Sequence, residues 1–65
     1  MAQVAQIREV LQMIEARGGG NEWLSAEHDV IYLPTFESKD DPEAERLTAL
    51  GCHWDGAAGS WAMFT

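Results

Sequence analysis

The stretch Leu47–Phe64, LTALGCHWDGAAGSWAMF, decides how this chain folds. Leu47 and Leu50 close the apolar face of a helix, and Gly51 stops it, because glycine accepts the left-handed backbone that ends a helix. Cys52–Trp54 then reads as a strand and Ser60–Phe64 as its antiparallel return, with Asp55-Gly56 and Ala58-Gly59 supplying the turn. Side chains alternate across a strand, so Cys52 and Trp54 share one face, as do Trp61 and Met63. These four side chains are expected to meet the apolar stripe of a helix.

Working back from this stretch, Asp41-Pro42 reads as the start of that helix. The Asp41 carboxylate caps, Pro42 takes the first helical position, and Glu43 and Glu45 place negative charge in the first turn. Ala44, Leu47 and Leu50 form its apolar face, and Arg46 finds an intrahelical partner in Glu43. Glu37–Asp41 is a polar loop. Upstream, Glu22–Ala26 and Val30–Leu33 read as two strands joined by a turn at Glu27-His28-Asp29, with Pro34 ending the second.

The N-terminal segment 2–17 carries Val4, Ile7, Leu11 and Ile14 at helical spacing with Val10 beside them. Arg17 sits in its last turn, where a cation opposes the helix dipole, and Gly18–Gly20 terminate it. The stripe covers only about two heptads, fewer than the three or four of a coiled coil, so packing on the chain's own sheet is the preferred reading over a dimer seam. The expected fold is a single α+β domain over residues 1–65, ordered α-β-β-α-β-β. Both helices lie on one face of a four-stranded antiparallel sheet.

Sixty-five residues bury only about 60% of the surface exposed on unfolding. With one cysteine no internal disulfide is available, and stability must come from large side chains: Trp23, Trp54, Trp61, Phe36, Phe64 and Tyr32. The unpaired Cys52 suits a reducing compartment. The N-terminus lacks the pattern of a signal peptide, and no apolar run reaches the ~20 residues of a membrane span. The expected location is cytoplasmic, with no membrane partner.

Eleven acidic residues against four basic ones give a formal net charge of −7, which repels phosphate backbones and anionic membranes. Candidate chemistry is sparse. Cys52 and His53 are adjacent, so on a strand they point to opposite faces, and neither a zinc site nor a Cys–His pair is assembled. Gly18–Gly20 lacks the flanking residues of a phosphate loop. Trp54 and Trp61 stand where a base-stacking platform needs a basic groove, which is missing; they are read as core. No acid, base and nucleophile converge, so neither an enzyme nor a cofactor is expected. Between Glu27 and Glu45 stand seven acids, and Lys39 is the one basic residue. Five of those acids, Glu37, Asp40, Asp41, Glu43 and Glu45, form the expected surface for a protein partner with a basic patch.

Residues 30–65 carry a recognisable pattern: Tyr32-Leu33-Pro34, a loop with Lys39, a helix to Leu50, then Gly51, Trp54, Asp55 and, after a short turn, Trp61. This resembles a small domain of unknown function found in conjugative-transfer DNA primases and in phage and plasmid proteins. The family often places basic residues where His53 and Ser60 stand here. The resemblance implies that Gly51, Trp54, Asp55 and Trp61 determine the fold, and it implies a phage or mobile-element setting without an activity. The reading that follows is a non-enzymatic accessory module that binds protein. A nucleic-acid-associated module of a replication or transfer assembly ranks second, and an acidic DNA mimic that inhibits a host protein ranks third.

Overall fold

The computed structural model describes residues 2–64. Helix α1 spans Val4–Ala16, strands β1 and β2 span Ser25–Glu27 and Val30–Tyr32, helix α2 spans Ala44–Ala49, and β3 and β4 span Cys52–Asp55 and Ser60–Phe64. The sheet is antiparallel throughout, in the order β1-β2-β4-β3. This is the expected α+β arrangement with the expected element order.

One face of the sheet carries the core. Ile31, Met63 and Cys52 are cross-strand neighbours, as are Trp61 and Trp54, so alternation brings them to one side. Val10 and Ile14 of α1, Leu47 of α2 and Leu50 just beyond it join that side, and Leu33 and Phe36 fill it from the loop after β2. Both helices therefore lie on the same face. Trp61 is buried, meets Trp54 edge-on at 6.2 Å between ring centroids, and donates its indole N–H to the Ser38 carbonyl at 2.8 Å. A buried tryptophan that satisfies its one donor contributes its full apolar area without an unpaired polar atom.

Each helix ends as the glycines predict. Beyond α1, Gly18 (φ 83°) donates to the Glu15 carbonyl, and Gly19 donates to that of Ile14, which also accepts from the Arg17 N–H. Beyond α2, Gly51 (φ 90°) donates to the Thr48 carbonyl. At its start, α1 is closed by Gln6, whose Oε1 accepts the Gln3 N–H at 2.8 Å. The β3–β4 turn is built on Asp55. Its carboxylate accepts from the N–H groups of Ala57 and Ala58, and its carbonyl accepts from Gly59.

Several elements differ from expectation, each for a physical reason. The first strand is not Glu22–Ala26 but Ser25–Glu27. The pairing Glu27↔Val30 leaves a two-residue loop, His28-Asp29, with His28 at φ 54°, so register counted back from that loop excludes Trp23. Trp23 is 93% exposed, and Phe64 is also exposed because it alternates away from Trp61 and Met63; neither belongs to the core as expected. On α1, Val10, Ile14 and the partly buried Ile7 face inward, whereas Val4 (81% exposed) and Leu11 (40%) stay outside. The stripe packs through its Val10 edge rather than its centre. Helix α2 starts at Ala44, later than Asp41-Pro42 implies, yet Asp41 does the capping chemistry: its carboxylate accepts from the Glu43 N–H at 2.8 Å and its carbonyl from Ala44.

Candidate functional site: a knitted helix layer and an open acidic edge

The expected partner-facing acids separate once they are placed. Asp41 is withdrawn from solvent, with its side chain 7% exposed. Arg17 grips it with both arms, Nη1 donating to Oδ2 at 2.7 Å and Nη2 to Oδ1 at 2.5 Å, while Nη1 also donates to the Thr35 carbonyl at 2.9 Å. The same guanidinium lies 4.0 Å from the Phe36 ring centroid, a cation–π contact. Arg17 thus joins the end of α1 to the loop after β2 and to the start of α2, two residues from Lys39. The helix dipole, the role the sequence suggests for Arg17, does not account for these contacts. Hydrogen bonding from Arg17 holds the Asp41 carboxyl below its ordinary range, assisted by the Glu43 N–H and opposed by desolvation. Thr35 sits at φ 68°, uncommon for a β-branched residue, and its carbonyl orientation toward Arg17 goes with that backbone.

Arg46 pairs with Glu9 on α1 rather than with Glu43, so this ion pair ties the two helices together. Glu43 is instead the residue before the first helical turn of α2, with its carboxylate 4.0 Å from Arg17. Glu37, Asp40 and Glu45 are exposed and form no ion pair among the described residues. Of the residues that the resemblance singles out, Gly51 follows the end of α2, Asp55 accepts hydrogen bonds in the β3–β4 turn, and Trp54 and Trp61 pair across β3 and β4.

The second face of the sheet carries no helix. Ala62 at its centre is buried, flanked by Tyr32 and His53, its cross-strand partners. His53 stacks on Phe64 with ring centroids 4.7 Å apart and planes 22° from parallel. At the β1 end of this face, Tyr32 and Ser25 floor an open groove of about 710 Å³ walled by Trp23, Pro34 and the turn at Ala58-Gly59, with Glu22, Glu27 and Glu37 around it. Trp23 follows Glu22 in a segment with weak strand alternation, which is the one sequence signal for this groove; its size alone argues for the interior.

Cys52 lies in the core, and burial pushes its thiol up to about 11. It stays protonated near neutrality and is a poor nucleophile there. Among the described residues no three His, Cys, Asp or Glu side chains are grouped to hold a metal ion, and no helix is long and apolar enough to cross a membrane. The chain matches no known protein family, no curated protein and no solved structure at a significant level.

Proposed function

We propose that this protein is a non-enzymatic accessory module that binds a protein partner through an acidic surface. Charge segregation supports this reading. Of the four basic side chains, Arg17 and Arg46 are tied to Asp41 and Glu9 in the helix layer. Residues 18–38 and 47–65, which supply all four strands, contain no lysine or arginine. Glu37, Asp40 and Glu45 are left with an uncompensated field that Arg8 and Lys39 do not balance, and a partner bearing Lys and Arg is the complementary surface. The Tyr32-Leu33-Pro34 and Gly51, Trp54, Asp55, Trp61 pattern favours a phage, plasmid or mobile-element setting, and the buried unpaired cysteine favours the cytoplasm.

Fluorescence anisotropy with labelled single- and double-stranded oligonucleotides at physiological salt tests the reading. No binding is expected, because non-specific affinity for nucleic acid comes from neutralising phosphates and releasing counterions. Salt-sensitive binding that disappears on Lys39→Ala together with Arg46→Ala would replace the protein-binding reading with a nucleic-acid-associated module.

A further inference from the structure

An exposed apolar band runs along one side of the molecule, from α1 to the open sheet face. Leu11, Leu24 and Pro34 line one groove, and Pro34 also borders the groove lined by Trp23 and Tyr32. Trp23 at 93% exposure and Leu24 at 45% are adjacent in sequence, and each lines one of the two grooves. Scattered surface leucines need no explanation, but a contiguous band with a fully presented tryptophan marks a contact surface. The rim of the band has one sign. Glu15, Glu22, Glu27 and Glu37 line it, all exposed and none in an ion pair among the described residues. Arg8, where the band runs on toward Val4, is the one cation along it.

This combination selects the occupant. An anionic lipid surface or a nucleic acid would meet four carboxylates and a net charge of −7. A second copy related by a two-fold axis would set the same carboxylates against each other around the apolar contact. A polypeptide segment that carries apolar side chains between Lys or Arg residues satisfies both parts. Its apolar residues cover Leu11, Leu24 and Pro34, its cations reach the rim, and one of them can lie over Trp23 or Tyr32. We propose that the band formed by Leu11, Leu24, Pro34, Trp23 and Tyr32, with its rim of glutamates, is the docking surface for a basic amphipathic segment of a partner protein. The proposal rests on the protein-binding reading above and moves its centre from the α2 acids to the β1 side.

The test is an amide and indole NMR titration with two synthetic peptides of equal length and charge, one a Leu/Lys peptide patterned as an amphipathic helix, the other with each Leu replaced by Gln. The expected result is that the Leu/Lys peptide shifts the Trp23 indole N–H and the Leu11 and Leu24 amides while the Trp54 and Trp61 indoles stay in place. Trp23→Ala should then weaken binding by about tenfold or more. Because Trp23 is exposed, that variant keeps its fold, which an unchanged melting temperature verifies. If both peptides bind equally and the shifts fall on residues 37–45, the band proposal fails while the acidic-surface reading stands. If neither peptide binds, both fail. If the Trp23 signal changes with protein concentration in the absence of peptide, the occupant is a second copy and the band proposal is wrong.

Discussion

The helix layer and the β1 side use the same kinds of side chain in opposite ways. In the helix layer, Arg17 is spent on Asp41, the Thr35 carbonyl and the Phe36 ring, and Arg46 on Glu9. On the β1 side, Glu22, Glu27 and Glu37 meet no cation among the described residues, and Trp23 stands outside the core. Both regions contain acids and a large aromatic; the difference lies in which groups find partners inside the chain. A small domain needs every partnered group it can assemble, so the groups left over on one contiguous side are the ones available for recognition.

Four expected outcomes probe this contrast, the largest first. Trp61→Ala should destabilise by about 3–5 kcal/mol, comparable to the lower end of a whole domain's stability, and so leave the chain unfolded or nearly so. The substitution also takes the indole donor from the Ser38 carbonyl, which keeps only the longer bond from the Asp41 N–H at 3.3 Å. Urea melts followed by circular dichroism check it, and an unchanged midpoint would mean that Trp61 is not in the core.

Next comes Arg17→Ala, expected to cost about 2 kcal/mol, between the values for exposed and buried charge pairs because this pair is part-buried. Arg17 is itself a quarter exposed, so solvent screens part of the interaction. The variant strands the Asp41 carboxylate and removes the donor from the Thr35 carbonyl. A double-mutant cycle with Asp41→Asn, which keeps an acceptor for the Glu43 N–H, isolates the charge term.

The pH dependence of the wild type follows from the same pair. The folded-state pKa of Asp41 is held below its unfolded value, chiefly by the hydrogen bonds from Arg17. The resulting stability is therefore fully present above about pH 4, the ordinary aspartate pKa, and is lost as the pH falls through the lower folded value. Arg17 stays charged throughout that window and adds no pH dependence of its own. Acid titration of the melting temperature should show this loss in the wild type and a smaller one in Asp41→Asn.

The smallest effect is expected for Trp23→Ala, within about 0.5 kcal/mol of wild-type stability, as for surface substitutions generally. A large destabilisation would place Trp23 in the core and dissolve the contrast between the two sides.

How much of this was legible in the sequence depended on whether the signal was local. The β3–β4 hairpin, with alternation through Cys52, Trp54, Trp61 and Met63 and turn chemistry at Asp55 and Gly59, is written within a few residues, and it forms as read. The glycine stops at Gly18 and Gly51 are equally local. Arg17–Asp41 and Arg46–Glu9 join residues 24 and 37 positions apart. No spacing rule reaches that far, so local rules instead assigned Arg17 to the helix dipole and Arg46 to Glu43. The bounds of β1 differ from Glu22–Ala26 because that stretch alternates weakly, and the register comes from the two-residue His28-Asp29 loop. The candidate site is hidden from the sequence for the same reason. Hydrophobic size implied burial for Trp23, and only the register shows that it lies outside the sheet.

Exchange of the three indole N–H protons with solvent tests the central contrast most directly. The Trp61 side chain is buried, and its indole donates to the Ser38 carbonyl at the edge of the core. Its exchange should be slowed about 10³-fold or more relative to a free indole, since it requires opening that approaches global unfolding. The Trp23 indole should exchange at close to the free rate. Protection of Trp23 comparable to that of Trp61, or free exchange at Trp61, would contradict the division into a knitted helix layer and an open acidic side.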